Sequence, residues 1–334
     1  MKYVRWASWL GFLAVLLAAV IVWSLSVGAS GIPAGKVLGI LFQGGSPAEH
    51  SIIFDIRLPR ILLGLAIGGC LSLAGVILQG LFRNPLVEPY TLGISGGAAL
   101  GVAANIALGI SAIGAYTLPV SGLLGAGAVI VFLYFSSLRT GLVKLQGLLL
   151  NGVMISFISS SLVMLLMSIA SSESLHGIVF WMMGSLGGSD VTYVNFMLML
   201  SLAALATGYA FCLALNALAL GEDEARHLGV PIERVKKVLF VFCAVLTGLC
   251  VSIAGMIGFV GLVVPHVMRR LVGADHRILL GASFIAGAIF LIASDTLARI
   301  VITPLELPVG VITGIAGGSV FLYALAKKGG LDHA

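Results

Sequence analysis

Three arginines, Arg57, Arg60 and Arg299, have the type and placement most suggestive of recognition chemistry. Each lies at the end of a long apolar stretch, and the first two belong to the sequence Arg57-Leu-Pro-Arg60. A guanidinium group binds a carboxylate through two parallel hydrogen bonds, so such a cluster favours an acidic partner. Arginines near helix ends also extend to lipid headgroups without a protein partner, and the spacing leaves both interpretations open.

The densest run of charges occupies residues 219–237. Glu222 and Glu224 stand where a helix would begin, and Gly229 stands where it would end. Pro231 suits the opening of a second helix. The pattern predicts two short helices beneath a membrane, which could enter a groove on a cytosolic subunit and transmit its movement. An ordinary solvated loop is the alternative.

Two prolines in the segment 82–90 forbid a continuous helix there, so we expect a rigid turn between two apolar stretches. Asn84 and Leu86 lie in this turn and could help to close the inner end of a transport path. The turn could equally do no more than join two helices.

The sequence Gly93-Ile-Ser-Gly96 matches the G-x-S-G pattern around the nucleophile of rhomboid-type intramembrane proteases. Ser95 would then be the nucleophile and His266 its base. The same run continues with glycines and alanines that are typical of close helix packing. On that second interpretation, His266 is a histidine satisfied within the core or at an interface.

Asp295 is nearly alone as an ionisable residue deep within an apolar stretch, one helical turn before Arg299, which favours an ion pair within one helix. A proton-coupled carrier, an alternative function, would need more groups of this kind. Neither a Walker A lysine motif nor a dinucleotide fingerprint is present. We therefore expect no catalysis, no cofactor and no metal on this chain, and no binding or hydrolysis of ATP by it.

The elements that must position these residues are membrane-spanning helices. The chain has 334 residues, of which 60% are apolar and 9% charged, a composition that predicts an all-α polytopic membrane protein in contact with lipid. Its net charge of +5 is spread over loops, which argues against nucleic-acid binding. About 20 apolar residues suffice for one span, and we predict about ten spans. They are approximately 6–27, 61–81, 92–108, 116–138, 148–169, 193–215, 238–257, 262–271, 278–298 and 309–325.

Lysine and arginine are retained on the cytoplasmic side of a membrane, and this rule predicts the orientation. Placing both termini in the cytoplasm assigns fourteen of the eighteen basic residues to that side. The four that remain outside are Lys36, Arg57, Arg60 and Arg299. Arg57, Arg60 and Arg299 are therefore among the few exceptions to a rule that the other basic residues mostly follow.

The segments 68–77 and 248–257 share Gly, Cys, Ser, Ala, Gly and Ile at matching places. They lie on the second and seventh spans, which are five spans apart. Because this number is odd, two copies would cross the membrane in opposite directions, as in inverted-repeat transporters. We expect a single permease domain over 1–334, with a first repeat at roughly 52–170 and a second at roughly 236–326. The coupling loop is then 216–237.

Several motifs, in order along the chain, resemble those of the FecCD-type permeases of type II ABC importers. This family includes the vitamin B12, haem and ferric-siderophore permeases. The motifs are Arg57-Leu-Pro-Arg60, Ala74-Gly75 through Gln79, Asn84-Pro-Leu-Val-Glu-Pro89, Leu92-Gly-Ile-Ser95, Trp181-Met-Met-Gly-Ser-Leu-Gly-Gly188, Leu218-Ala-Leu-Gly-Glu222, Ala225-Arg-His-Leu-Gly229, Gly258-Phe-Val-Gly-Leu-Val-Val-Pro-His266, Asp275-His-Arg277 and Glu306-Leu-Pro308.

The resemblance implies a homodimer in a bacterial or archaeal cytoplasmic membrane. Two cytosolic ABC ATPase subunits would bind ATP-Mg below it, and a periplasmic or lipid-anchored binding protein would dock above it. The implied function is import of an iron chelate such as a ferric siderophore, with haem or vitamin B12 as close substitutes.

The resemblance also assigns roles to residues. Docking of the binding protein falls to Arg57, Arg60 and Arg299. Coupling to the ATPase falls to Gly221, Glu222, Glu224, Ala225, Arg226, Leu228, Gly229 and Pro231. An inner gate falls to Asn84, Leu86, Leu145 and Gln146. The last two differ from the small hydroxyl residues of the B12 permease.

Overall fold

A computed structural model of the chain describes residues 2–28, 31–114, 116–138, 145–187, 190–302 and 305–329. Across those ranges, all regular secondary structure is helical. The α-helices are α1 (Lys2–Ser26), α2 (Ala34–Gln43), α3 (Pro47–Ser51), α4 (Leu58–Phe82), α5 (Ile94–Ala107), α6 (Thr117–Leu138), α7 (Leu145–Ile169), α8 (Ser172–Met182), α9 (Val191–Ala210), α10 (Cys212–Leu220), α11 (Glu222–His227), α12 (Ile232–Ala254), α13 (Val260–Val272), α14 (His276–Ile300) and α15 (Val309–Gly329).

Each of the ten predicted spans coincides with a helix, and the all-α polytopic prediction is confirmed. Within the described residues, seven helices are long and apolar enough to cross a membrane, and α5 and α15 are shorter apolar helices. The sixth span differs from the prediction because the chain breaks at Phe211, between α9 and α10. Helix α13 rises only about 20 Å over its length, less than the roughly 30 Å hydrocarbon core of a bilayer.

A π-helical turn, Ile52–Arg57, joins α3 to α4 so that helix runs without interruption over Pro47–Phe82. Pro59 follows this turn, lies in the first turn of α4 and cannot donate a backbone hydrogen bond. At the turn's end the N–H of Leu58 donates to the carbonyl of Ile53, five residues back, which widens the helix. Arg57 is the last residue of this turn, and Arg60 follows in the first turn of α4.

The centre of the bundle is α4, which is buried along nearly its whole length against α9, α12, α13 and α14. Glycines make this possible where backbones nearly touch. A Cβ added at Gly75 would lie 2.0 Å from the carbonyl oxygen of Gly261 on α13. One added at Gly68 would lie 2.4 Å from the carbonyl oxygen of Gly287 on α14. Small residues at crossings of this kind are typical of membrane helices.

The two short helices α5 and α13 begin beside one another. Each is preceded by a residue with positive φ, Gly93 (77°) and Phe259 (68°). The phenolic oxygen of Tyr90 accepts a hydrogen bond of 2.7 Å from the N–H of Ile257, and Gly261 packs against Pro89. The connections that precede the two short helices therefore contact each other inside the bundle.

The bundle has a group of basic residues at each of its two ends. The ends of α4 and α13 and the start of α14 line one cavity, and there Lys2 forms an ion pair of 3.0 Å with Asp275. Arg60 and Arg299 lie at the opposite end. We call these the inner and outer ends, following the predicted orientation. The separation of the two basic groups agrees with the sequence, and the side of the membrane that each end faces stays a prediction.

Two matching glycines of the predicted repeat pack on matching helices. Gly68 of α4 contacts α14, and its counterpart Gly248 of α12 contacts Ala126 of α6, which is the equivalent helix of the other half. The counterparts Cys70 and Cys250 are neighbours in the core. An inverted repeat predicts such contacts, because residues on a two-fold axis lie beside their own equivalents. The repeat and its boundaries stay a prediction.

Candidate functional site

The outer end contains a buried ionic cluster centred on Arg60 and Asp295. Arg60 Nε lies 3.0 Å from each Asp295 oxygen, and Arg60 Nη2 lies 2.9 Å from Oδ1. Arg60 Nη1 also bonds Glu306 Oε2 at 2.8 Å. The guanidinium thus bridges a buried carboxylate and one whose side chain is 55% exposed. We call Arg57, Arg60, Arg299, Asp295 and Glu306 the outer cluster.

Arg299 approaches the same carboxylate from its own helix. The Nε atom of Arg299 lies 3.3 Å from Asp295 Oδ2, a contact that is electrostatic and lacks hydrogen-bond geometry. Its Nη2 donates to the hydroxyl of Ser24 at 2.7 Å, which ties α14 to the end of α1. Arg57 donates to the carbonyl of Leu25 on the same helix. Contacts with α1 therefore hold two of the three arginines.

The structure brings the three sequence-predicted arginines together but alters their setting. They are 5%, 8% and 8% exposed, so in this chain they are not a ring of solvent-facing cations. Three arginines and two carboxylates leave a net charge of +1. The predicted Asp295–Arg299 pair is present, yet Arg60 makes the better aligned bonds to Asp295. Sequence spacing could find the pair four residues apart, whereas no local signal indicated that Arg60 would bind Asp295 and Glu306 or that Arg299 would bind Ser24.

The inner end carries the predicted short helix, α11. It begins after Gly221, whose φ is 141°, and it ends just before Gly229, as predicted. Gly229 has a φ of 79° and donates to the carbonyl of Arg226, while Val230 donates to that of Ala225. This pair of bonds is the Schellman motif, which requires a left-handed residue and therefore favours glycine.

Helix α11 is tied to the bundle on one side and exposed on the other. Lys236, a buried residue of α12, lies 2.8 Å from the carboxylate of Glu222, and Ala225 is fully buried. Leu228, just beyond α11, is 65% exposed. The second short helix expected after Pro231 is not separate. It is the first turn of α12, because Ile232, Val235 and Leu239 form one buried face at helical spacing that continues into the seventh span.

The turn between α4 and α5 has the geometry of an Asx turn. Asn84 Oδ1 accepts a hydrogen bond of 2.9 Å from the N–H of Leu86, whose side chain is exposed. The side chains of Leu145 and Gln146, the other predicted gate residues, lie outside the described part of the chain. The gate stays a prediction.

Ser95 and His266 occupy different surroundings. Ser95 is buried at the start of α5, where the following Gly96 packs on Ser156 and Ser159 of α7. His266 lies on α13, where it lines a cavity at the inner end and contacts the ring of Phe321. The small residues after Ser95 serve close packing of α5 on α6 and α7, as the alternative to the protease interpretation predicted.

The connection between α4 and α5 also holds a buried carboxyl group that the sequence analysis did not single out. Glu88 accepts a hydrogen bond from the backbone N–H of Phe259, and its Oε2 atom is buried without a partner among the described residues. Burial raises the pKa of Glu88 above its usual range. Its carboxyl group therefore joins the two connections that precede α5 and α13.

Comparison with known proteins covers nearly the whole chain. The FecCD transport family matches residues 16–327. The hemin transport system permease protein HmuU of Yersinia pestis is 37% identical over 96% of this chain and 95% of its own length. The vitamin B12 import system permease protein BtuC of Klebsiella pneumoniae is 39% identical over 96% and 94%. A solved structure of a metal-chelate type ABC transporter in an inward-facing conformation has a TM-score of 0.85 at 34% identity, over 95% and 98% of the two chains.

Proposed function

This chain belongs to the FecCD transport family and is a permease of an ABC importer of the metal-chelate, vitamin B12 and haem type, and we propose that its substrate is a ferric siderophore. The observation that carries the assignment is the match of one family over residues 16–327. The choice of an iron chelate rests on the frequency of such substrates in the family. Haem and vitamin B12 are the close substitutes, and an iron or cobalt atom would travel within its own chelate.

The outer cluster is the proposed docking site for the binding protein. Three arginines from two distant segments lie together, and Asp295 holds Arg60 and Arg299 side by side. A docking carboxylate would compete with Glu306, the exposed member, for the guanidinium of Arg60. Charge complementarity of this kind mainly sets specificity and the rate of association. Changing Arg57, Arg60 and Arg299 together to Glu should therefore abolish stimulation of the ATPase by the binding protein, and unchanged stimulation would refute the docking role.

Helix α11 is the proposed contact with the ATPase subunits. The pair Lys236–Glu222 would pass a push on α11 into α12, one of the long helices that pack on α4. The exposed Leu228 supplies an apolar side chain for a groove on the partner. We expect Leu228→Ser to leave the permease folded but to reduce substrate uptake per ATP hydrolysed. Leu271→Ser, at another exposed leucine near the inner end, is the matched control, and equal losses in both variants would argue for a passive loop.

The mechanism is a shift between conformations. ATP binding closes the two ATPase subunits of a homodimeric permease, and their movement favours one opening of the bundle over the other. The ATPase partner holds ATP-Mg, and this chain supplies the path. Bacterial or archaeal cytoplasmic membranes, with both chain termini inside, are the proposed location.

Uptake by proteoliposomes tests both the reaction and the substrate. The permease is reconstituted with its ATPase, and ATP is enclosed in the vesicles. The cognate binding protein is loaded in separate experiments with a ⁵⁵Fe-labelled siderophore, with labelled haem or with labelled cobalamin. We expect uptake that needs ATP and is greatest for the siderophore. Preference for haem or cobalamin would overturn the substrate, whereas uptake that is independent of the ATPase and sensitive to an uncoupler would indicate a secondary carrier.

A further inference from the structure

A cavity of about 480 Å³ opens at the inner end, where the end of α4 meets the end of α13 and the start of α14. Its lining includes three arginines and two histidines, and the described lining residues include no carboxylate. The five are Arg83, Arg269, Arg270, His266 and His276. We call this the inner cavity. A cavity whose described lining has basic side chains and no acidic one suits the entry of an anion.

Arg269 is fixed by one hydrogen bond and has most of its hydrogen-bond donors available. Its Nη1 donates to Gln79 Oε1 at 3.2 Å. Gln79 is fixed in turn, because its Nε2 donates to the carbonyls of Gly261 and Leu262 at 3.3 Å each. A guanidinium has five N–H donors, and within the described residues this is the one hydrogen bond found for Arg269. The remaining donors form a rigid fork of the kind that binds two oxygens of a phosphate.

Arg83 occupies a costly backbone position. It is the residue after α4, with φ 48° and ψ 36°, where a left-handed conformation is required. Glycine adopts this conformation without strain, whereas a residue with a Cβ does so at a cost in free energy. No ion pair of Arg83 with a carboxylate occurs in the part of the chain that the structure describes. A cation at this position is consistent with a ligand that uses its charge.

His276 provides the second, independent observation. It is 3% exposed and lines the inner cavity, and its Nε2 is buried with no hydrogen-bond partner among the described residues. Its Nδ1 lies 2.8 Å from Asn216 Oδ1. Asn216 donates its Nδ2 to Asp275, so its Oδ1 is an acceptor and Nδ1 of His276 carries a proton. Nε2 is therefore left to accept a hydrogen bond from a ligand hydroxyl or, once the ring is protonated, to donate one to a ligand oxygen.

We propose that the inner cavity binds a phosphate group, held by Arg83, Arg269 and His276. The source is either the headgroup of an anionic phospholipid or a soluble phosphate. Basic pockets between helices on the cytoplasmic side of a membrane suit lipid headgroups, and the volume also admits a free anion. Asn84, the predicted gate residue, lines the same cavity, so the ligand would lie beside the turn that joins α4 to α5. This inference concerns binding to the permease and does not rest on its substrate.

The test uses the full chain in nanodiscs. One arm titrates inorganic phosphate into discs of phosphatidylcholine at constant ionic strength and measures the thermal unfolding midpoint. The other arm compares discs with and without phosphatidylglycerol and counts retained lipid by native mass spectrometry. We expect saturable binding in one arm, which identifies the source, and an apparent affinity at least tenfold lower in the double variant Arg83→Gln, Arg269→Gln.

Arg83→Gln alone is the second variant, because its side chain is exposed and it should fold if loss of the Arg269–Gln79 bond destabilises the double variant. Arg277→Gln is the matched control: an exposed arginine at the same end, one residue from His276 in the chain and outside the cavity lining. Normal binding by this control would support the site. Saturable binding in neither arm, or an equal loss in the control, would overturn the proposal.

Discussion

The docking role of the outer cluster has a consequence that simple removal of arginines cannot test. Reversal of Arg60 or Arg299 also breaks their buried bonds to Asp295, so a loss of function could reflect a damaged fold. Glu306 offers a cleaner change, because its side chain is 55% exposed and its contact is with one guanidinium nitrogen. Glu306→Gln retains the shape of the side chain and raises the net charge of the cluster from +1 to +2.

The size of the effect follows from the contact distance. Glu306 Oε2 lies 2.8 Å from Arg60 Nη1. A partner carboxylate that approaches the outer cluster before it displaces Glu306 would lie about 7 Å from Glu306, and at an effective dielectric constant of about 40 the two would repel by about 1.2 kcal/mol. Removing this repulsion should raise the affinity for an acidic binding protein about sevenfold at low salt. At 0.15 M salt, screening over a Debye length of about 8 Å should reduce the gain to about twofold.

The assay is the affinity of the binding protein for the reconstituted transporter, measured by biolayer interferometry at two ionic strengths. Glu173→Gln is the matched control, because Glu173 is an exposed glutamate at the start of α8, outside the outer cluster. We expect a gain that falls with salt for Glu306→Gln and little change for the control. Unchanged or weaker binding of Glu306→Gln at low salt, or an equal gain for Glu173→Gln, would refute docking at this cluster.

Three further predictions concern the fold. Asp295→Asn leaves two buried guanidinium groups without their shared carboxylate and should lower the free energy of unfolding by about 3–5 kcal/mol, measured by denaturant titration in detergent. Gly75→Ala places a Cβ 2.0 Å from the carbonyl of Gly261 and should cost about 1–3 kcal/mol or more, whereas Gly127→Ala, which meets no atom within 4 Å, should be neutral or stabilising in the same measurement. Burial raises the pKa of Glu88 in the folded state, so its stabilising contribution is complete below the unfolded-state pKa of about 4.3 and is lost as the pH rises toward the folded-state pKa. The variant Glu88→Gln should therefore become more stable relative to wild type between pH 4 and 8. A difference in unfolding midpoint that stays constant over this range would contradict the prediction.

Local features of the chain were predicted well because their causes are local. Gly229 ends α11 because a left-handed residue closes the last turn, and prolines mark the turn between α4 and α5. The ten apolar stretches coincide with helices because each must satisfy its own backbone in a membrane. Predictions failed where neighbours decided the outcome. The expected short helix after Pro231 is part of α12, and α8 was missed because its Glu173 and His176 interrupt the apolar pattern.

The amino-acid sequence by itself determined the class of the protein, its spans and its family. It also determined that the basic residues fall into two groups at opposite ends of the bundle. These depend on composition, periodicity and motifs, each of which is read within a short window of chain. Only the tertiary structure decided that Arg60 binds Asp295, which lies 235 residues later in the chain and also contacts Arg299. It likewise decided that Arg83, Arg269 and His276 line one cavity. Such pairs arise when whole helices pack, since the position of a side chain then depends on the crossing of distant segments and no local pattern encodes it.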